Sequence, residues 1–268
     1  MTWVRLAEAS DAAQYGNKAV RLGAALRAGL PVPDGLALSV DFVRSVAHAA
    51  EGRLAELERL LTLGGGFIAV RSSASAEDSA RASFAGQYPT ELNVTTALGL
   101  GTALQRLALS AHSESAALYR QHMGITSPPK VAAIVQGMID AEVAGVLFTR
   151  DPLSGAQTCL IEASWGLGEA VVGSRVTPDS FRLDAQGKVG ERRAGAKEAE
   201  LQLRPGGGLQ EVTVSGSRVR SLCLNDTQLQ QLFALASRCT RLFGAGLDLE
   251  WAYTKGEVFL LQCRPITA

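Results

Sequence analysis

The stretch LDLEWAYTKGEVFLLQCRP, residues 247–265, decides how the chain folds. Leu247, Leu249, Trp251 and Tyr253 alternate with Asp248, Glu250, Ala252 and Thr254. Beyond Lys255-Gly256 the odd positions Phe259, Leu261 and Cys263 are again apolar. Strand side chains alternate between faces, so the pattern predicts a β-hairpin whose odd positions meet one core. Directly opposed residues share a face, so odd must oppose odd. That predicts an odd number of loop residues around Lys255-Gly256 and not the two-residue turn that this pair would suggest. With a three-residue loop Glu250 stands opposite Gln262, and Asp248 stands opposite Arg264.

The non-core face of this hairpin therefore gathers an acid, an amide oxygen and a guanidinium at the end away from the turn. Taken alone, that face reads first as the solvated side of an antiparallel sheet carrying an ordinary salt bridge. It also reads as a site where a carboxylate and an amide oxygen hold Mg²⁺, an ion that takes few protein ligands, with Arg264 on a phosphate oxygen.

Working outward, residues 130–165 hold three short apolar runs of strand length, VAAIVQ, GVLFTRD and TCLIEAS, followed by the glycine-punctuated WGLGEAVVG. Residues 180–224 lean towards strand and include a triple glycine at 206–208 that reads as a surface turn. Asn225 caps a helical run that ends near Phe243. The first half is more helical. Asn17 caps a run with apolar Val20, Leu22, Leu26 and Leu30 that stops at Gly29, and a second helical run spans Asp41–Leu63 up to Gly64-Gly65-Gly66. FIAVRSS at 67–73 reads as a strand and passes into a long Ser-, Ala- and Gly-rich loop, a type that is usually functional or disordered. Helical runs follow at Thr95–Ser110 and His112–Met123. The fold class is α+β, with lobes at 1–129 and 130–268 divided at Pro128-Pro129.

With 268 residues, 47% of them hydrophobic, the chain can bury a large core. Its 26 basic and 26 acidic residues cancel, so no overall field draws in nucleic acid or an anionic membrane, and phosphate recognition has to be local. No stretch approaches the ~18 apolar residues of a membrane span, and the N-terminus lacks the apolar run of a signal peptide. Cys159, Cys223, Cys239 and Cys263 are widely spaced in apolar surroundings. They read as buried thiols of a cytoplasmic protein, not as a zinc or redox motif.

Three further features suit phosphate. Gly16-Asn17-Lys18 opens a helix, where exposed N–H groups and the dipole favour an anion, although for an isolated GxK a solvent lysine on an amphipathic helix is the better reading. Arg71 stands where the 67–73 strand meets the Ser-rich loop, and a structural pairing with Glu77 or Asp78 is its alternative role. Gly86 can bring backbone close to a phosphate or simply form a turn. No Walker A loop, GxGxxG fingerprint or GxSxG elbow is present. His48, His112 and His122 fall on helical runs without a partner acid or nucleophile.

In order along the chain, GNKAVRLGAALRAGLPVPDG (16–35), AVRSSASAEDSARASFAGQYPTELNV (69–94), VQGMIDAEVAGVLFTRDPLSG (135–155), EASWGLGEAVVGSRVTPDSF (162–181), DLEWAY (248–253) and LLQCRPIT (260–267) occur. Together they resemble the N-terminal ATP-binding domain of the pyruvate phosphate dikinase and phosphoenolpyruvate synthase family, which rifamycin phosphotransferases share. The resemblance covers nearly the whole chain. It implies an ATP-grasp-like fold, with ATP between two lobes, and Mg²⁺ as the accompanying metal. It implies that Lys18 and Arg71 contact phosphates, that Gly86 and Thr90 lie in the loop covering the triphosphate, and that Gln136 sits beside the adenine. Glu250 and Gln262 are then the metal and phosphate ligands, and Arg264 steadies the transferring phosphoryl group. The implied catalytic residues are Arg71 and Arg264.

In that family the β-phosphoryl passes to a histidine on a mobile carrier domain, AMP leaves, and a third domain holds the acceptor. Nothing in this sequence resembles the carrier's histidine motif, so the resemblance implies a carrier and an acceptor-binding domain in trans. The segment between Asp41 and Arg71 is also shorter than the family's. An ATP-sensing module without turnover, the ATP domain of a rifamycin-type phosphotransferase, and an ATP-grasp ligase releasing ADP are the alternatives.

Overall fold

The computed structural model describes residues 3–74, 90–113 and 130–266. The first lobe contains β1 (Trp3–Arg5), α1 (Ala12–Arg27), β2 (Gly35–Leu38), α2 (Val40–Ala49), α3 (Leu54–Leu63), β3 (Ile68–Ala74), β4 (Thr90–Val94), α4 (Ala97–Ser110) and β5 (Val131–Gly137). Its sheet runs β1-β2-β5-β3-β4 with antiparallel neighbours. Phe42, Leu57, Leu60, Leu100 and Leu104 of α2, α3 and α4 pack on Leu36, Ile68 and Val135 of this sheet. The helical run expected over 41–63 is broken into α2 and α3 by a 3₁₀ turn at Glu51–Arg53. The sequence reading places the lobe boundary at 129/130. β5 lies just past that point and is hydrogen-bonded between β2 and β3 of the first sheet.

The second lobe adds β6 (Val143–Phe148), β7 (Cys159–Trp165), α5 (Glu169–Val172), β8 (Asp179–Leu183), β9 (Val189–Arg193), β10 (Ala199–Leu203), β11 (Leu209–Thr213), α6 (Asp226–Phe243), β12 (Leu247–Thr254) and β13 (Glu257–Pro265). Its main sheet runs β13-β12-β6-β7-β8-β9, while β10 and β11 form a separate two-stranded ribbon. Asn225 caps α6 as expected, accepting from the Gln228 amide while the Gln228 side chain accepts from the Asn225 N–H. Leu229, Leu232 and Cys239 of α6 bury Leu249, Trp251, Ile161 and Phe181 of the sheet. Tyr15 and Leu22 of α1 join that same core, so α1 wedges the first lobe against the second. Two main antiparallel sheets with helices packed on them give the α+β arrangement expected from the sequence.

The terminal hairpin forms with a different turn from the one expected. Thr254 pairs with Glu257, leaving a two-residue turn at Lys255 and Gly256, whose φ angles are 51° and 84°. Such a left-handed pair matches the twist of the flanking strands. The extra residue is absorbed further along. Trp251 pairs with Leu260, Glu250 pairs with Gln262, and Leu261 is the bulge between them. Next to the turn it is therefore Leu260 that is fully buried, while Phe259 and Leu261 are only partly so. Beyond the bulge the alternation returns to the predicted phase, with Cys263 buried.

All four cysteines are buried and free. Burial pushes the Cys159 thiol up to about 12, which makes it unreactive. Among the described residues, no helix is long and apolar enough to cross a membrane.

Candidate functional site

Every residue of β3 is buried, Arg71 included. A guanidinium in such a strand has to find acceptors, and Arg71 finds them on the opposite lobe. Its Nη2 donates to Glu250 Oε2 at 2.9 Å and to Gln262 Oε1 at 3.0 Å. Its Nη1 donates to the backbone carbonyl of Leu261. The bulge thus has a definite consequence, because the residue it leaves over, Leu261, turns its carbonyl to the arginine.

Arg264 and Asp248 stand opposite one another as the alternation predicts. Arg264 Nε and Nη2 both reach Asp248 Oδ2, at 2.8 and 2.7 Å. Asp248 Oδ1 is buried and has no hydrogen-bond partner among the described residues. Burial raises the pKa of Asp248; Arg264 pulls it back and Glu250 adds to the rise.

The stretch that carries Lys18 is fixed to β3 by a local contact. Gly16 interrupts α1 with φ 79° and ψ 162°, so the helix effectively restarts beside Lys18. A Cβ on Gly16 would lie 2.0 Å from the Ser73 carbonyl oxygen, so only glycine permits this approach. Ser73 Oγ then accepts from the Ala19 N–H at 3.0 Å, which ties the restarted helix to β3 two residues from Arg71. Lys18 itself is buried. Thr90 opens β4 directly opposite Arg71. Gly86 lies outside the described residues, as do Glu77 and Asp78.

Between the lobes is a cleft of about 480 Å³, counting its open side. Leu92, Met138, Ile139, Leu167 and Ala252 make much of it apolar, while Arg71, Glu169 and Glu250 make one part charged. Gln136 also lines it, with its side-chain amide fixed by donation from Nε2 to the Pro33 carbonyl at 2.7 Å. Glu169 has no signal of its own in the sequence, where WGLGE offers only its two glycines. At the start of α5, it has its pKa raised chiefly by burial and further by Glu250, with Arg71 opposing.

Glu250, Asp248 and the amide oxygen of Gln262 offer oxygen ligands, the type that suits a hard cation such as Mg²⁺. The orphaned Asp248 Oδ1 supports that fit. Among the described residues, no three His, Cys, Asp or Glu side chains are grouped so as to hold a metal ion by themselves.

Residues 45–268 match the family model described as pyruvate phosphate dikinase, AMP/ATP-binding domain. The chain belongs to this family. It is similar to the prodigiosin synthesizing transferase PigC of Serratia marcescens, with 38% identity over 95% of this chain and 32% of that protein. It is 39% identical to a rifampicin phosphotransferase of Streptomyces sviceus over 74% of this chain and 23% of that protein. It is 31% identical to a probable phosphoenolpyruvate synthase of Archaeoglobus fulgidus over 99% of this chain and 41% of that protein. The chain therefore spans less than half the length of each of these relatives.

Proposed function

We propose that this chain binds Mg-ATP in the inter-lobe cleft and passes the β-phosphoryl group to a histidine on a separate carrier domain or protein, with AMP leaving and the γ-phosphoryl group going to water as inorganic phosphate. The observation that carries this reading is the reach of Arg71 from one lobe to Glu250, Gln262 and the Leu261 carbonyl on the other, within a member of an AMP/ATP-binding family. A cleft that is apolar in one part and charged in another matches a nucleotide, whose base is flat and apolar and whose phosphates are anionic.

In this reading the adenine lies against Gln136 and Met138, and the phosphates run towards Lys18, Arg71 and Arg264. Gly86 and Thr90 belong to the segment that covers them. Glu250 and Gln262 would hold Mg²⁺, which would supply charge neutralisation on the polyphosphate. Arg71 exchanges part of its bonding with Glu250 and Gln262 for phosphate oxygens, which it can engage in two parallel bonds. Arg264, oriented by Asp248, steadies the group in transfer. Phosphoryl transfer asks little covalent work of a protein, so positioning and charge do most of the catalysis. The relatives carry names with different acceptors, so the final acceptor is chosen outside this chain.

Two measurements test the reading. Calorimetric titration with ATP should show binding that strengthens with Mg²⁺. Mixing the chain with Mg-ATP and a family histidine domain should yield AMP, phosphohistidine and inorganic phosphate. ADP as the product, or Mg²⁺-independent binding, contradicts it.

A further inference from the structure

The triple glycine Gly206-Gly207-Gly208 does turn the chain between β10 and β11, but the tip of this ribbon is not simply exposed to solvent. It is seated on the first lobe. Asn93 Nδ2 donates to the carbonyls of Arg204 at 2.8 Å and Gly208 at 2.7 Å. The Gly208 N–H donates back to the Asn93 carbonyl at 3.0 Å, and Thr95 Oγ1 donates to the Gly206 carbonyl at 3.1 Å.

Both partners adopt special backbone for this contact. Asn93 is 1% exposed and has φ 55°, in the left-handed region that asparagine tolerates better than most residues. Gly207 has φ 117°, and a Cβ there would lie 3.0 Å from Thr95 Oγ1 and 3.3 Å from the Asn93 carbonyl.

The middle of the ribbon is attached to the other wall of the cleft. The Leu167 N–H donates to the Leu201 carbonyl at 2.9 Å, and Leu167, Ala170 and Leu201 form a small core of their own with Met138 packed against it. Leu167 and Met138 line the cleft, and so does Leu92, the neighbour of Asn93. One ribbon thus grips β4 at its tip and the Leu167 wall at its middle. Glu169 follows Leu167 by two residues, and β4 begins at Thr90 opposite Arg71.

We propose that the β10–β11 ribbon is a strap that sets how closely the two lobes close on the nucleotide, with Asn93 as its positioning residue. Asn93 touches no nucleotide in this scheme; it acts by holding Leu92 and β4 against the opposite wall. The proposal rests on the reading of the cleft as an ATP site, so its test carries a second readout that needs no ligand.

The experiment compares the whole chain with its Asn93→Ala, Gly207→Ala and Gly206→Ala forms. Gly206 has φ 86°, yet a Cβ there meets nothing within 4 Å, so the methyl added by Gly206→Ala strains the turn without meeting the first lobe, whose bond to this residue, from Thr95 Oγ1, goes to the backbone carbonyl. Titration with Mg-ATP should weaken about tenfold for Asn93→Ala and Gly207→Ala, the loss expected from one or two ordinary hydrogen bonds, and stay within about twofold for Gly206→Ala. Hydrogen exchange without nucleotide should rise at residues 91–94 in Gly207→Ala but not in Gly206→Ala. Should Asn93→Ala fail to fold, Thr95→Val removes one exposed bond and should still weaken binding about threefold. Equal binding by all variants, equal weakening by Gly206→Ala, or unchanged exchange at 91–94 overturns the strap. A wild-type chain that binds no nucleotide overturns the ATP reading instead, and the exchange result then decides the strap separately.

Discussion

Arg71 Nη2 lies 2.9 Å from Glu250 Oε2, although the two residues are 179 positions apart and belong to different sheets. The side chains are 10% and 22% exposed, so the pair sits where water screens it only partly. Gln262 and the Leu261 carbonyl complete the guanidinium's bonding. The pair joins the lobes at the charged part of the cleft.

Arg71→Met removes the cation from among these acceptors. The loss of charged hydrogen bonds should lower stability by about 2 kcal/mol. Mg-ATP binding should weaken at least tenfold, and more than the stability change alone would produce. Denaturant unfolding and calorimetric titration measure the two effects; intact nucleotide binding would place the phosphates elsewhere.

Glu250→Ala and Trp251→Ala should separate function from fold at adjacent positions. Glu250 faces the cleft, so its removal should weaken Mg²⁺-dependent ATP binding and leave a cooperative unfolding transition. Trp251 is fully buried in the core with α6, so its truncation should cost roughly 3–5 kcal/mol. The urea midpoints of the two variants should differ accordingly, and a larger shift for Glu250→Ala contradicts the face assignment.

Gly256→Ala examines the turn. With φ 84° and no atom within 4 Å of the place a Cβ would occupy, the cost is purely conformational. It should be about 1 kcal/mol by thermal unfolding, with ATP affinity unchanged. A variant that binds ATP much more weakly would mean that the turn, and not the bulge, sets the opposition of Glu250 and Gln262.

Glu169→Gln should change the pH dependence of stability. Burial holds the folded-state pKa of Glu169 above its ordinary 4.5. Between those two values the folded protein keeps a proton that the unfolded chain has lost, so stability falls as pH rises through that window. Replacement by glutamine removes this fall. The variant should melt higher than wild type near neutral pH, with the difference from this group vanishing below the ordinary carboxylate range. Melting temperatures measured from below the ordinary carboxylate range up to neutral pH check the sign; a lower melting temperature at neutral pH contradicts it.

The opposition of Glu250 to Gln262 is legible in the sequence because alternation is strict along a strand and one face is plainly apolar. The turn is not, and for a related reason. Alternation demands an extra residue but does not say where it goes, and the left-handed Lys255-Gly256 pair leaves it to Leu261. The Asn225 cap of α6 is legible because its partners lie within one turn. Glu169 is not, because its environment is made by Arg71 and Glu250, which come from distant strands.

By itself, then, the sequence determined the local periodicities, the caps, the polar face of the hairpin and the family to which the blocks belong. These depend on near neighbours and on the period of the backbone. Only the tertiary structure decided that Arg71 meets Glu250 and the Leu261 carbonyl, that Gly16 yields to Ser73, and that the glycine turn at 206–208 grips Asn93. Each of those is a contact between segments far apart in the chain, selected by how two sheets and a ribbon pack, and no local pattern encodes it.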